Sequence, residues 1–174
     1  MKKMKFTLLL AIAAISFMFT GCKEEETPAP KNIVQIAQSD ENFSILVQAV
    51  VRAGLVDALS ADGPLTVFAP TNAAFAALLE ELDVESLDDI SDELLIDVLK
   101  YHVVSGKVLA GDLSDEQEVA PILGGEEFFT IDLTGGAKIV DANDRVANIT
   151  TTDIEASNGV IHVIDKVILP TLPK

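Results

Sequence analysis

The sequence predicts an α+β domain in which a cluster of helices packs on a largely antiparallel β-sheet sandwich. Apolar residues recur with helical spacing in the first half of residues 32–170 and with period two in the second. Helices come first and strands afterwards, whereas a parallel doubly wound fold would alternate them. A length of 174 residues, 49% of them apolar, suffices for about one domain with a sizeable core.

In the helical half, Ser39 and Asp40 are candidate caps. Phe43, Leu46, Val47 and Val50 then fall at i, i+3, i+4 and i+7, and Gly54 is placed to end the helix. Residues 55–59 add one more turn. Asp62-Gly63-Pro64 is a turn signal, residues 65–69 are a short apolar strand, and Pro70 stops it, leaving Thr71 as the N-cap of the next helix. That helix buries Phe75, Leu78, Leu79 and Leu82. Ser91 opens a further helix in which Leu95, Val98, Leu99 and His102 share a stripe, with Leu94 and Tyr101 at its edge.

In the strand half, Phe129, Ile131 and Leu133 alternate with Thr130 and Asp132, Gly135-Gly136 turns, and residues 137–140 return as a hairpin partner. Residues 146–154 are rich in β-branched side chains, Asn158-Gly159 is the strongest two-residue hairpin signal, and residues 160–164 come back from it. Asn-Gly accepts positive φ, so the expected hairpin turns on that pair. In the returning strand Val160, His162 and Ile164 share one face, and Ile161, Val163 and Asp165 the other.

Ahead of the domain, Lys2, Lys3 and Lys5 precede an apolar run at residues 6–19 that ends in Thr20-Gly21-Cys22. A basic stretch followed by such a run is an export signal, and 14 residues fall short of the ~20 needed to span a bilayer. The small residue before a lone cysteine resembles a bacterial lipobox, with Phe19 where Leu is usual. The expected organisation is a signal peptide over 1–21, lipidated Cys22 and a linker to residue 31, the domain over 32–170, and a tail over 171–174. An ordinary signal peptide that leaves Cys22 as a free thiol is the alternative. The segment 23–31, charged and proline-containing, stays extended. Lys23-Glu24-Glu25 resembles the short acidic signal of some outer-membrane lipoproteins, which implies an exported lipoprotein of the outer membrane or cell surface.

Charge narrows the partners. Lys plus Arg number 12 against 28 Asp plus Glu, a net charge of −16, with no basic stripe, so nucleic acid is excluded. Anionic surfaces also repel such a chain, so a membrane is reached through the lipid on Cys22. One cysteine excludes an intrachain disulfide, and two histidines exclude a His-rich metal site.

Two segments carry a family resemblance. Thr66-Val67-Phe68-Ala69-Pro70-Thr71-Asn72-Ala73-Ala74-Phe75 and Asn158-Gly159-Val160-Ile161-His162-Val163-Ile164-Asp165, running on to Pro170, resemble the two signature boxes of the fasciclin-like (FAS1) domain, and Tyr101-His102 stands between them as that family's Tyr-His pair does. The resemblance implies a wedge of antiparallel strands with a helical cluster. It also implies adhesion without chemistry, the partner being a receptor, a glycan or a second copy. In animal members an Asp-Ile pair ahead of the second box is linked to integrin recognition. Asp153-Ile154 stands at that offset, preceded by Thr151-Thr152 where a proline is typical.

Each candidate has a structural alternative. His162 among β-branched neighbours reads as a buried histidine bonded to backbone, and His102 as a packed one with one hydrogen bond, with recognition the competing role for each. Tyr101 is expected to show its hydroxyl. Asp153 and Ile154 are either a surface recognition pair or a core isoleucine with a solvated neighbour. Asn72, Asn158, Gly159 and His162 are taken as structural.

No complete catalytic constellation exists: Ser105 follows His102 by three residues but no G-x-S-x-G elbow surrounds it. Asp141-Ala142-Asn143-Asp144 starts like a calcium loop, yet Arg145 and Val146 take the next ligand and glycine positions, so it reads as a polar turn. No metal, cofactor or catalytic residue is therefore expected. With no Trp, and with Tyr101 and the five Phe beyond residue 22 all fitting core positions, sugar binding by ring stacking is disfavoured. Protein or self-association is the preferred mode. A small-molecule carrier with a pocket between helices and sheet is the competing class, and it needs an apolar cavity with convergent polar groups.

Overall fold

The computed structural model describes residues 29–171. Its helices are α1 (Ile33–Gln38), α2 (Ser44–Arg52), α3 (Val56–Ser60), α4 (Asn72–Glu81) and α5 (Asp92–Tyr101). Its strands are β1 (Leu65–Pro70), β2 (Val103–Ser105), β3 (Gln117–Val119), β4 (Phe129–Asp132), β5 (Lys138–Val140), β6 (Val146–Ala156) and β7 (Gly159–Ile164).

Local chemistry sets the helix starts. The Thr71 and Ser91 hydroxyls accept from the amides of Ala74 and Leu94, each at 3.3 Å, which satisfies one otherwise orphaned donor at the head of α4 and of α5. Gly54 ends α2 at φ +67°, a conformation in which a Cβ is strained. The start of the domain departs from expectation. Ser39 closes α1, a helix that periodicity does not predict, with its own hydroxyl on the Ile36 carbonyl, and Asp40 caps a single 3-10 turn before α2. Six residues are too few to show a helical period. What fixes α1 is the capping box, in which Asn32 and Gln35 bond each other's backbone.

The strands form one ladder in the order β2-β1-β7-β6-β5-β4-β3. Every pair is antiparallel except β1 with β7, which run parallel from Leu65↔Gly159 to Pro70↔Ile164. The long strand β6 pairs with β5 through its first residues and with β7 through its last, and register shifts on either side of Thr151 bend it between the two halves. Two cores result. Ile161 and Val163 of β7 face the helices together with Phe43, Leu46, Phe75, Leu95 and Leu99. On the opposite face, Ile164 and Phe68 meet Phe129, Ile131 and Ile139 from the other half of the ladder, which is the sandwich layer. β7 is thus buried on both faces, as a central strand should be.

The β6–β7 hairpin corrects the expected turn. The two connecting residues are Ser157 and Asn158, Gly159 already belongs to β7, and neither Asn158 nor Gly159 has a positive φ. Glycine is required at 159 because a Cβ there would lie 1.9 Å from the Leu65 carbonyl oxygen. Close approach of β1 takes the place of turn geometry as its reason.

Candidate functional site

Of the residues singled out by sequence, Tyr101 belongs to the second core and His162 stacks on that core's Phe68, whereas Ile154 packs against the helical core. Tyr101 closes α5 and is fully buried, so its hydroxyl is not at the surface as expected. The hydroxyl donates to the Phe128 carbonyl at 2.6 Å and accepts from the Ala142 amide at 3.2 Å. Burial, with Asp141 and Glu127 nearby, pushes the phenol well above its ordinary range, although the Ala142 hydrogen bond opposes this. The ring meets Phe129 edge to face at 5.7 Å, and Phe129 meets Phe68 in the same manner at 5.3 Å.

His102 is likewise buried and is removed as a surface contact. Its Nδ1 donates to the Val98 carbonyl at 2.7 Å and its Nε2 accepts from the Ile168 amide at 3.1 Å, an assignment that fixes the neutral tautomer. Desolvation, helped by Arg145 and opposed by the Val98 bond, lowers its pKa from 6.5 to about 4. The imidazole therefore joins α5 to the segment that follows β7.

His162 is fully buried beside Phe68, the two rings stacked at 5.4 Å. Its Nε2 donates to the Val108 carbonyl at 2.9 Å and its Nδ1 accepts from the Asp153 amide at 3.3 Å. That contact brings the Asp-Ile pair to the histidine. Asp153 sits at the β6 bulge with φ +59°, and its exposed carboxylate accepts from the Ala110 amide at 2.8 Å. Ile154 is half-buried against the helical core. Asp153 thus holds the loop after β2, Ile154 packs, and neither forms a free patch with Tyr101, which lies inside.

The two asparagines act as clamps. The Asn158 Oδ1 accepts from the buried Ile33 amide at 3.0 Å, while Nδ2 donates to the Leu59 and Ala61 carbonyls, each at 2.9 Å. One side chain so fastens α1 and the end of α3 to the hairpin. Asn72 accepts from the Ile45 amide at 2.9 Å and donates to the Glu41 carbonyl and the Ser44 hydroxyl. It ties the head of α4 to the head of α2.

Two further residues escape sequence reasoning. Asp141 opens the polar turn, but its buried carboxylate also accepts from the amides of Asn143, Arg145 and Leu169 and pairs with Arg145. The Asx-turn spacing was visible, whereas the partner at Leu169 lies 28 residues away. Thr66, fully buried, donates to the Gly106 carbonyl and accepts from the Val108 amide. Arg145 also pairs with Glu81, as does Lys166. Burial would raise the Glu81 carboxyl, but these two cations outweigh it and hold it below its ordinary value. Phe128, expected in the core, is 44% exposed.

Among the described residues no buried side-chain nitrogen or oxygen lacks a hydrogen-bond partner, and no group of three His, Cys, Asp or Glu could hold a metal. No described helix is long and apolar enough to cross a membrane. Between α1, α2, α3 and β1 lies an apolar cavity of about 40 Å³ bordered by Val34, Leu46, Val50 and Val67. Cys22 lies outside the described residues.

This arrangement matches a known family over most of its length. The fasciclin domain model covers residues 41–170. The chain belongs to the fasciclin family. Protein sll1483 of Synechocystis sp. is 45% identical over 146 residues, covering 84% of this chain and 77% of that protein. A second Synechocystis protein, sll1735, is 46% identical over 138 residues, 79% of this chain and 97% of that one. The transforming growth factor-beta-induced protein ig-h3 of Sus scrofa is 31% identical over 148 residues, but this chain spans only 20% of it. Among solved structures, a FAS1 domain pair from the insect cell adhesion molecule fasciclin I superimposes with a TM-score of 0.66 at 18% identity, over 82% of this chain and about half (51%) of that one. The fasciclin fold, with its helices and seven-stranded mixed sheet, is thus the fold of this chain.

Proposed function

We propose that this fasciclin domain is a non-catalytic binding module, tethered through lipid on Cys22 at the outer membrane or cell surface, that recognises a protein or a glycan, including a second copy of itself. The observation that carries the reading is membership of a family that includes a cell adhesion molecule. Its organisation is a signal peptide over 1–21, an extended linker to residue 31 and the domain over 32–170. The non-catalytic part is supported by the hydrogen bonding. His102, His162 and Tyr101, the residues best suited to proton transfer, are all buried with both polar positions bonded to backbone, so none of the three is poised to meet a substrate. The carrier reading, which needs an apolar pocket between helices and sheet, gains little, because the apolar cavity found there is about 40 Å³, far below the ~300–1,000 Å³ of small-molecule pockets.

The test uses the full chain in its own envelope. Detergent-phase partitioning of the chain should be lost in Cys22→Ala, and unchanged partitioning refutes the tether. Crosslinking of the lipidated chain in intact cells should trap an envelope component. No trapped component refutes the binding role, and turnover of an ester or glycoside that disappears with His102→Ala refutes the non-catalytic assignment.

A further inference from the structure

Among the described residues every buried side-chain nitrogen and oxygen is paired, and one surface concavity gathers several polar side chains. Beside the β6–β7 turn, the end of α3, the head of α1 and the loop after β2 border an open surface cleft of about 520 Å³, within the ~300–1,000 Å³ range of small-ligand sites. The other cavities described, of about 40, 10 and 180 Å³, are smaller and lined mainly by apolar side chains. Its walls carry Asn32, Ser60, Asp62, Lys107 and Ser157. Its floor is rigid: the Asn158 clamp lies beneath it, and a Cβ on Gly63 or Gly159 would lie 1.9 Å from a backbone oxygen.

The chemistry of these walls selects a ligand. Ser60 and Ser157 bring hydroxyls and Asp62 a carboxylate to the walls, and Asn32, whose Oδ1 accepts from the Gln35 amide, adds an NH₂ donor. Lys107 gives one hydrogen bond to Glu155 at 2.9 Å and has two further donors. Donors and acceptors are therefore interspersed, with one ammonium, one carboxylate and Glu155 close by. In a chain of net charge −16 this disfavours an anionic ligand. An apolar ligand would strand the polar walls. A group that offers hydroxyls as both donors and acceptors matches them.

We infer that this cleft binds a neutral saccharide unit through hydrogen bonds, without ring stacking. The site rests on the binding-module reading above and names its glycan arm and where that arm sits. The lack of an aromatic ring in the walls excludes stacking as the source of affinity, so single-site binding is weak and attachment relies on many tethered copies acting together.

The test is saturation-transfer NMR, together with amide-shift mapping of the isotope-labelled protein, on the full chain in detergent micelles, with maltose, lactose and cellobiose as neutral probes and lactobionate as the acidic counterpart of lactose. Transfer to at least one neutral disaccharide is expected, with amide shifts confined to the surroundings of Asp62, Lys107 and Ser157. Asp62→Ala combined with Ser157→Ala, both exposed positions, should weaken binding about tenfold or more with the melting temperature unchanged, because two ligand hydrogen bonds are lost. No transfer to any neutral probe, stronger binding of lactobionate than of lactose, shifts located elsewhere, or an undiminished signal in the double variant each overturns the site. The amide shifts of the unaltered chain decide the matter without the variant. An envelope protein trapped by crosslinking together with silent sugars overturns the cleft and leaves the binding module standing, whereas failure to trap anything overturns the module itself.

Discussion

Replacing Asn158 by alanine removes three hydrogen bonds that converge from sequence positions about a hundred residues distant. The largest loss is at Ile33, whose amide is buried and would be left without an acceptor, at ~1–3 kcal/mol for an orphaned buried donor. The bond to the Leu59 carbonyl is also buried and adds roughly 1 kcal/mol, while the Ala61 carbonyl, in an exposed residue, is rehydrated at little cost. The total is about 2–4 kcal/mol, which lowers the melting temperature of a domain of this size by about 10 °C. Urea unfolding followed by circular dichroism measures it, with Asn158→Asp as companion. The aspartate keeps the acceptor for Ile33 but turns an oxygen toward two carbonyls, so at neutral pH it should be no more stable than the alanine variant and should recover partly in acid. A cost below about 0.5 kcal/mol for alanine, the range of ordinary surface changes, or native stability for aspartate refutes the clamp.

Two other outcomes follow from the same network. His102 has a folded pKa of about 4 against 6.5 unfolded, so between those values the unfolded chain binds the extra proton: its contribution is complete above pH 6.5, falls by about 3 kcal/mol on acidification to pH 4, and is flat below. Unfolding free energies of the native chain and of His102→Gln should therefore converge as pH falls through that window, and parallel profiles would refute the assignment. At the β6 bulge, Asp153→Asn keeps an acceptor for the Ala110 amide and tolerates φ +59°, so it should stay within about 0.5 kcal/mol of native, whereas Asp153→Ala should lose ~1–2 kcal/mol. Equal stability of the two variants in thermal unfolding would show that the carboxylate does not hold the loop.

The sequence by itself determined the class of fold and most of its elements, because periodicity and capping are local. A helix such as α5 announces itself through Ser91 and the spacing of Leu95, Val98 and Leu99, and a hairpin such as β4–β5 through alternation and Gly135-Gly136, whose φ values are both positive. Segments too short to show a period, α1, β2 and β3, stayed hidden. Only the tertiary structure decided what the motif residues do. Tyr101 and Phe128 are neighbours in space whose burial is the reverse of what composition suggests, since a phenol goes inside where two backbone groups receive it and a phenyl ring stays out where no layer covers it. Asn158 looks like a turn residue and is a clamp, and Gly159 is small because β1 passes beside it. Asp153 stands where recognition was expected and holds a loop. In each case the deciding partner lies tens of residues away along the chain, and a hydrogen bond or a steric contact across such a distance leaves no trace in local spacing.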